Sequence, residues 1–326
     1  MSKPTLSQSI PNGSTAPTTA PTTAPTTAKV WIGDCREQLP KIPEVQNQSI
    51  DLVFADPPFN FNRDYNKHQT PNTKSNKVWD DNAMSPEEYL TFTHDWLNLC
   101  IDALAPTGAL WVNIPDDWAA EIVVHLKSKD LTMINWCIWH YRFGQNTTKK
   151  FINSKVHALY FVKDPNNRTW NPDPILEESD RRAIYADHRT ESKRDGLPAG
   201  LRLPMDVWYG THLGRIQGNN KERRPQHDNQ LPETYLHRVI ASTSNQGDTI
   251  LDPFLGSGTT AVVATALNRN FVGTEYSKDN AKAAMDRIKL GPVRDLTAAR
   301  GASTAIKAAP RTRRKPSKTA SENLHA

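Results

Sequence analysis

The sequence has few cysteines, no long apolar run and no histidine cluster, and each shortage narrows the class of protein. Its three cysteines are widely spaced and odd in number, which fits neither a disulfide framework nor a zinc motif and favours a reducing cytoplasm. No apolar run reaches membrane-spanning length, and the first residues lack the apolar core of a signal peptide. The ten histidines show no ligand spacing, so we expect no metal.

Both ends of the chain are poor in large apolar side chains. Residues 1–28 repeat Ala-Pro-Thr-Thr, and residues 291–326 carry eight Lys and Arg against two acidic residues. Because such segments cannot bury enough apolar surface to fold, we predict a disordered leader at 1–28 and a disordered basic tail at 291–326. The folded domain is expected at 29–290, and the basic tail, with a charge of +6, accounts for more than the whole formal net charge of +5.

The middle of the chain is also basic, with 16 Lys and Arg against 10 acidic residues between 141 and 224. This segment could face phosphate, or it could be a solvated loop region, and charge alone favours neither. Residues 163–215 are rich in proline and charge and lack periodicity, so we interpret them as an insertion with a function of its own.

Short apolar, β-branched runs alternate with amphipathic stretches in the rest of the chain, which predicts an α/β sheet. Ser85 as N-cap, Pro86 at the first helical position and two glutamates after it indicate the start of the best helix. The predicted strands are 29–32, 50–55, 109–114, 131–139, 156–162, 248–251 and 270–274. The predicted helices are 85–104, 116–126, 231–242, 259–267 and 278–290.

The first motif is an apolar strand that runs into Asp56-Pro57-Pro58-Phe59. Its carboxylate stands at the carboxyl end of the strand, where open α/β sheets bind ligands, and the two prolines stiffen the turn. A carboxylate, a carbonyl without a ladder partner and an aromatic face suit a planar ring that bears an amino group. An ordinary strand-to-loop stop is the alternative.

The second motif is a strand that ends at Asp252 and opens through Phe254-Leu-Gly256-Ser-Gly258 into a helix. The glycines allow close approach of a ligand to the backbone, and Glu275 ends the next strand at the interval typical of a ribose-binding acid. The spacing Gly-x-Gly-x-x-Ala also fits an NAD or FAD site. A P-loop is excluded because no lysine follows the glycines.

Together the two motifs, in this order and with the basic segment between them, resemble the permuted β class of DNA amino-methyltransferases. That family combines Asp/Asn/Ser-Pro-Pro-Tyr/Phe for catalysis with Phe-x-Gly-x-Gly for S-adenosylmethionine, and the resemblance spans about residues 29–290. It departs from the family at residues 226–230, which read Gln-His-Asp-Asn-Gln where the family often has His-Pro-Thr-Gln. The resemblance implies a Rossmann-like, mostly parallel sheet with an antiparallel strand near one edge, circularly permuted, with a recognition region inserted at 163–215.

The resemblance also implies roles for individual residues. The catalytic set is Asp56, Pro57, Pro58 and Phe59. The cofactor set is Asp34, Cys35, Asp252, Phe254, Gly256, Ser257, Gly258, Thr259, Thr260 and Glu275. In this scheme Glu275 accepts from the ribose, Asp252 meets the ammonium group of the cofactor, and the Thr259 or Thr260 hydroxyl meets its carboxylate.

The expected partner is double-stranded DNA, and the family is compatible with a homodimer and with a restriction endonuclease partner. Candidate DNA contacts are Arg181, Arg182, Arg189, Lys193, Arg194, Lys221, Arg223 and Arg224, and solvated loop charge is the alternative for each. The expected reaction is methylation of adenine N6, because the family uses Ser more often than Asp at position 56 for cytosine. Cytosine N4 and, further off, RNA or protein amides are the alternative substrates.

Overall fold

The computed structural model describes residues 26–60 and 84–296, apart from 142, 143, 145, 193–195, 225, 226 and 228. Its strands are β1 (Ala28–Ile32), β2 (Ile50–Ala55), β3 (Leu104–Ile114), β4 (Thr132–His140), β5 (Lys155–Val162), β6 (Glu177–Glu178), β7 (Leu201–Arg202), β8 (Val207–Trp208), β9 (Thr249–Asp252) and β10 (Asn270–Glu275). Its α-helices are α1 (Cys35–Gln38), α2 (Pro43–Gln46), α3 (Pro86–Ala103), α4 (Asp116–Lys127), α5 (Asp180–Tyr185), α6 (Glu233–Thr243), α7 (Thr259–Ala266) and α8 (Lys278–Leu290).

Eight of the strands form one sheet in the order β1-β10-β9-β2-β3-β5-β4-β8. Strand β5 runs antiparallel to β3 and β4, and every other neighbouring pair is parallel. The predicted mostly parallel sheet with an antiparallel strand near one edge is therefore confirmed. The order is also permuted as expected, because β2 precedes β9 in the chain by about 200 residues and lies beside it in the sheet.

Helices cover both faces of this sheet, as is usual for a mostly parallel sheet whose two faces are both apolar. On one face, α1 to α4 pack on a cluster that includes Val53, Trp96 and Leu110. On the other, α6 to α8 pack on a cluster that includes Phe54 and Tyr235. Neighbouring residues Val53 and Phe54 point to opposite faces because side chains alternate along a strand.

The predicted elements all appear, with bounds that differ by a few residues. The largest difference is at β3, which begins at Leu104 and not at residue 109. Gly108 makes this possible, since a Cβ there would lie 2.9 Å from the carbonyl oxygen of Ile50 on the neighbouring strand. The short elements α1, α2, β6, β7, β8 and α5 were not predicted, because segments of two to six residues are too short to show periodicity.

The predicted insertion contains regular secondary structure, and the packed domain extends beyond its predicted end at residue 290. Residues 163–215 contain α5, the antiparallel pair of β6 and β7, and β8, which joins the main sheet beside β4. The packed chain continues six residues past 290, to Leu296, which is buried in the second cluster. Among the described residues, no helix is long and apolar enough to cross a membrane.

The start of α3 supplies a stability prediction. The Ser85 hydroxyl accepts from the backbone N–H of Glu88, whose carboxylate accepts in turn from the N–H of Ser85. We expect Ser85→Ala to lower the free energy of unfolding by about 1 kcal/mol, measured by urea titration. Thr91→Ala on the exposed side of the same helix is the control, because its hydroxyl only returns to the Glu87 carbonyl and caps nothing. Equal losses from the two changes would contradict the capping role.

Candidate active site

The two sequence motifs meet at one edge of the sheet. Strands β2 and β9 are parallel neighbours, with Leu52 beside Ile250 and Val53 beside Leu251, so both strands deliver their carboxyl ends to the same place. There the loop after β2 and the turn after β9 border a cavity of about 230 Å³. Its lining residues are Gly33, Asp34, Cys35, Asp56, Pro58, Phe92, Pro253, Phe254, Gly256, Glu275, Tyr276 and Asn280.

The lining contains three carboxylates, from Asp34, Asp56 and Glu275, and neither lysine nor arginine among the residues that the structure describes there. Phe92 and Phe254 supply an aromatic wall, with ring centroids 6.2 Å apart. An acidic cavity with aromatic walls fits a positively charged ligand that bears a flat ring and a ribose. It does not suit the pyrophosphate of NAD or FAD, because carboxylates repel that dianion.

Glycine is needed at two positions of the cofactor turn. Gly256 has φ +51° and Gly258 has φ +79°, a region that other residues enter at a cost. Gly258 also lies against α8, where a Cβ would come within 2.9 Å of the Ala284 Cβ. The Gly256 N–H donates to a Glu275 carboxylate oxygen over 2.8 Å, which joins the turn to the end of β10.

The two threonines after this turn do not reach the cavity. Thr259 and Thr260 are both buried, and the Thr260 hydroxyl bonds to the Asp252 carboxylate. The Thr259 hydroxyl accepts from Arg287 over 2.7 Å and bonds to the Ser257 hydroxyl. The expectation that either hydroxyl meets the cofactor carboxylate is corrected here, because both are turned into the protein and already engaged.

Asp252 lies beneath the cavity and not in its wall. Its side chain is 2% exposed and accepts from the Phe254 N–H over 2.8 Å. Burial raises the pKa of Asp252 to about 7, opposed by the Thr260 and Phe254 hydrogen bonds and reinforced by the charges of Asp56 and Glu275. The Asp252 carboxylate therefore shapes the turn and the local charge. It is not exposed to the cavity, where the expected contact with the ammonium group of the cofactor would be made.

The Asp56 loop is held by side chains from three different elements. The Tyr89 hydroxyl on α3 donates to the Pro58 carbonyl over 2.7 Å, and the Trp118 indole on α4 donates to the Phe59 carbonyl over 3.0 Å. Asn113 on β3 donates to the Asp56 carboxylate over 3.1 Å. None of these tethers uses the Pro57 carbonyl, which the first motif assigns to a substrate amino group.

Asp56 itself is a carboxylate with raised proton affinity. Burial raises its pKa to about 7, and the hydrogen bond from Asn113 opposes that rise. Asn113 is oriented by Tyr235, whose hydroxyl donates to the Asn113 amide oxygen over 2.6 Å. With its oxygen engaged, the amide presents its NH₂ group to Asp56. Sequence reasoning missed Asn113 and Tyr235, which lie 57 and 179 residues from Asp56 and carry no local signal.

The remaining predicted residues are placed as follows. Asp34 and Cys35 line the cavity, and Asp34 forms an ion pair with Arg36. Burial raises the pKa of Cys35 to about 12, so its thiol is a poor nucleophile. The Phe59 ring is partly buried against the second core cluster and does not line the cavity. In the part of the chain that the structure describes, no group of three or more His, Cys, Asp and Glu could hold a metal.

The candidate DNA contacts fall on two stretches of the surface. Arg181 and Arg189 border a shallow depression at α5, where Arg189 forms an ion pair with Asp187. Lys221 and Arg223 are exposed on the turn before α6. The other predicted contacts are Arg182, which is exposed on α5, Arg224, which is half-buried in the turn, and Lys193 and Arg194, which lie outside the described residues.

Comparison with known proteins decides the family. The model of a family described as DNA methylase, whose name joins N6 and N4 methyltransferases, matches residues 50–286. The chain belongs to this DNA methylase family. Membership confirms the resemblance stated from the two motifs, and with it the S-adenosylmethionine cofactor and the methylation of DNA.

Two curated relatives with similar sequences are also methyltransferases. The Type II methyltransferase M.HpaI of Haemophilus parainfluenzae is 31% identical over 256 residues, which cover 78% of this chain and 73% of that protein. The Type II methyltransferase M1.MboII of Moraxella bovis is 30% identical over 245 residues, which cover 73% of this chain and 88% of that protein.

Solved structures share the fold. A complex of M1.HpyAVI with SAM has a TM-score of 0.53 at 18% identity and covers 80% of this chain and 99% of its own. The cytosine-N4-specific PvuII DNA methyltransferase has a TM-score of 0.54 at 16% identity, covering 80% and 86%. At these identities the likeness concerns the fold alone, and it confirms the expected methyltransferase sheet.

The cofactor turn gives a test with a matched control. We expect Gly258→Ala to lower the free energy of unfolding by about 2–4 kcal/mol, since it combines a left-handed backbone with a steric clash against Ala284. Gly247→Ala, at φ +90° with no atom within 4 Å of the added Cβ, carries the backbone penalty alone, about 1–2 kcal/mol. Urea titration measures both, and a Gly258 loss no larger than the Gly247 loss would remove the steric argument.

Proposed function

We propose that the protein transfers a methyl group from S-adenosylmethionine to N6 of adenine in DNA. The shared cavity carries the proposal: the carboxylate of Asp56 and the glycine turn at Gly256 border the same space. The carboxylate at position 56 favours adenine, because the family uses serine there more often for cytosine. Methylation of DNA follows from the family, and adenine as the methylated base is the proposal.

A paired base cannot present its amino group to this cavity, so the target adenine leaves the duplex. Its two N6 protons then have two acceptors, the Asp56 carboxylate and the Pro57 carbonyl. Phe59 is the proposed stacking surface, which requires its ring to turn from the second core cluster toward the base. Hydrogen bonds to both protons favour a more tetrahedral nitrogen, whose lone pair is withdrawn from conjugation with the ring. The prolines and the tethers from Tyr89 and Trp118 fix these acceptors before the base arrives.

S-adenosylmethionine supplies a methyl group made electrophilic by a positively charged sulfur. The N6 lone pair forms the new N–C bond as the S–C bond breaks, and the bonding electron pair stays on sulfur, which becomes a neutral thioether. The nitrogen then carries a positive charge and loses one proton, for which the Asp56 carboxylate is the proposed acceptor. A carboxylate with a pKa of about 7 is suited to this step near neutral pH.

The expected partners other than DNA, and the residues expected to contact DNA, stay predictions. A homodimer, a restriction endonuclease partner and the arginine and lysine contacts to DNA rest on the resemblance and on surface charge. The exposed side chains at Arg181, Lys221 and Arg223 support the last of these, because backbone phosphates are the groups that exposed cations of a DNA enzyme bind.

The first functional test is Asp56→Ala. We expect kcat for transfer of labelled methyl to adenine-containing DNA to fall by at least about 100-fold, because the placed acceptor is lost, while S-adenosylmethionine still binds through the glycine turn and the other two carboxylates of the lining. Asp51→Asn on the same strand is the control, because Asp51 caps the Thr249 N–H at the far end of β2. Chromatography of nucleosides from the product identifies the methylated base.

Full activity of Asp56→Ala, or label found on protein only, would contradict the proposal. N4-methylcytosine in the product with an inactive Asp56→Ala would retain the mechanism and replace the base.

The Asn113 and Tyr235 pair gives a pH test. Asn113 stabilises the ionised form of Asp56, so Asn113→Ala raises its pKa above about 7 and moves the acidic limb of the kcat profile to higher pH. Tyr235→Phe leaves the amide free to turn and should shift the limb in the same direction by less. The other ionisable groups that face Asp56 are Asp252 and Tyr235, with Asp34, Cys35, Glu275 and Tyr276 in the same cavity, and apart from Tyr235 itself they are unchanged in both variants.

Tyr160→Phe is the control for Tyr235→Phe, because it removes a buried hydroxyl from the same face of the sheet without touching Asn113. It should leave the acidic limb in place. A wild-type limb in Asn113→Ala would exclude Asn113 as a positioning residue.

A further inference from the structure

A buried arginine on α8 reaches the underside of the cofactor turn. Arg287 is 2% exposed, and one of its terminal nitrogens lies 2.7 Å from the Thr259 hydroxyl and 3.1 Å from the Ser257 carbonyl oxygen. The same nitrogen lies 3.3 Å from the Ser257 hydroxyl. These are the residues between and just after the two glycines, so one guanidinium spans the whole base of the turn.

The other terminal nitrogen of Arg287 binds Glu233 at the start of α6, over 3.1 Å, and Glu233 is fully buried. The second carboxylate oxygen of Glu233 accepts from the backbone N–H groups of Val293 and Arg294, each over 2.9 Å. Because an isolated charge is costly in the interior, these contacts stabilise the buried pair and hold the two terminal nitrogens of Arg287 in place, while its Nε has no hydrogen-bond partner among the described residues.

The network extends to the turn before α6. Glu222 accepts from the Glu233 N–H over 2.8 Å and forms an ion pair with Arg294, and both side chains are at most 9% exposed. Gln230 donates to the Glu222 carbonyl over 2.7 Å and accepts from the Arg224 N–H. These contacts link Arg287, through Glu233, to the described end of the chain and to the segment that leads into α6.

We propose that Arg287, held by Glu233, is a positioning residue for cofactor binding that sets the conformation of the Ser257–Thr259 turn. The turn has two glycines with positive φ, so its backbone has unusual freedom and its bound shape must be imposed from outside. Arg287 imposes it from below, while the Gly256 N–H bond to Glu275 holds it from the side. The hydroxyls of Thr259 and Ser257 thus serve the turn and not the ligand.

The inference rests on the S-adenosylmethionine cofactor and not on the identity of the methylated base, so calorimetry without DNA tests it. We expect Arg287→Met to raise the Kd for S-adenosylmethionine about tenfold or more, the value of a lost charge-assisted hydrogen bond. At saturating cofactor, kcat should change far less than Kd, because Arg287 touches neither the base nor Asp56. Arg287→Lys should fall between, since an ammonium group cannot span both Glu233 and the turn.

Two further variants separate positioning from plain stability. The double variant with Arg287→Met and Glu233→Gln leaves no unpaired buried charge, so it folds even if the single variant does not, and it should keep the raised Kd. Arg269→Met removes another buried arginine, whose partners are Ser244 and Leu267. That group joins the ends of α6 and α7 at the opposite edge of the sheet, so its loss should lower the thermal midpoint and leave the cofactor Kd unchanged.

Wild-type cofactor affinity in the folded double variant would overturn the proposal. So would an Arg269→Met variant with the same rise in Kd, because the effect would then report general loosening of the domain. A protein that binds S-adenosylmethionine as expected and methylates no adenine would overturn the proposed base and leave this inference in place.

Discussion

The parallel pairing of β2 with β9 is the constraint on which the rest of the structure depends. It brings together two strand ends that lie about 200 residues apart in the chain, one with a carboxylate and two prolines, the other with a glycine turn. Since the register is fixed by Leu52 beside Ile250, both ends stop at the same height and open into one cavity. A shift of one residue would turn the buried side chains of β2 to the wrong face, so the hydrophobic core also fixes the geometry of the site.

Charge makes this cavity selective. Asp34, Asp56 and Glu275 face it and Asp252 lies under it, and burial raises the pKa values of Asp56 and Asp252 to about 7. A cationic ligand in this space relieves the repulsion between the carboxylates, whereas an anionic one increases it. The glycine spacing by itself fitted both a dinucleotide and S-adenosylmethionine, and the sign of the surrounding charge separates the two. The acidic lining is therefore as much a part of cofactor recognition as the glycine turn.

Features of the fold and the site that depend on a few neighbouring residues could be predicted from the sequence, and features that depend on long-range contacts could not. The end of β2 at Asp56, the glycine turn and the capped start of α3 are properties of a few neighbouring residues, so they could be predicted. The tethers from Tyr89, Asn113, Trp118, Tyr235 and Arg287 come from elements tens to hundreds of residues away and have no sequence signature. The Thr259 and Thr260 hydroxyls were assigned to the ligand because they begin a helix, and tertiary packing turned both inward.

The same long-range contacts explain how a short loop can act as a catalyst. Asp56 and the Pro57 carbonyl are acceptors that water also offers, so their advantage must lie in being held in place before the substrate arrives. Two prolines restrict the backbone, Tyr89 and Trp118 fix the carbonyls that follow, and Asn113 fixes one carboxylate oxygen of Asp56. The remaining carboxylate oxygen and the Pro57 carbonyl are then the acceptors left for the base. Because each tether comes from a different element, α3, α4 and β3, the position of the acceptors is set by the packing of the whole domain and not by the loop.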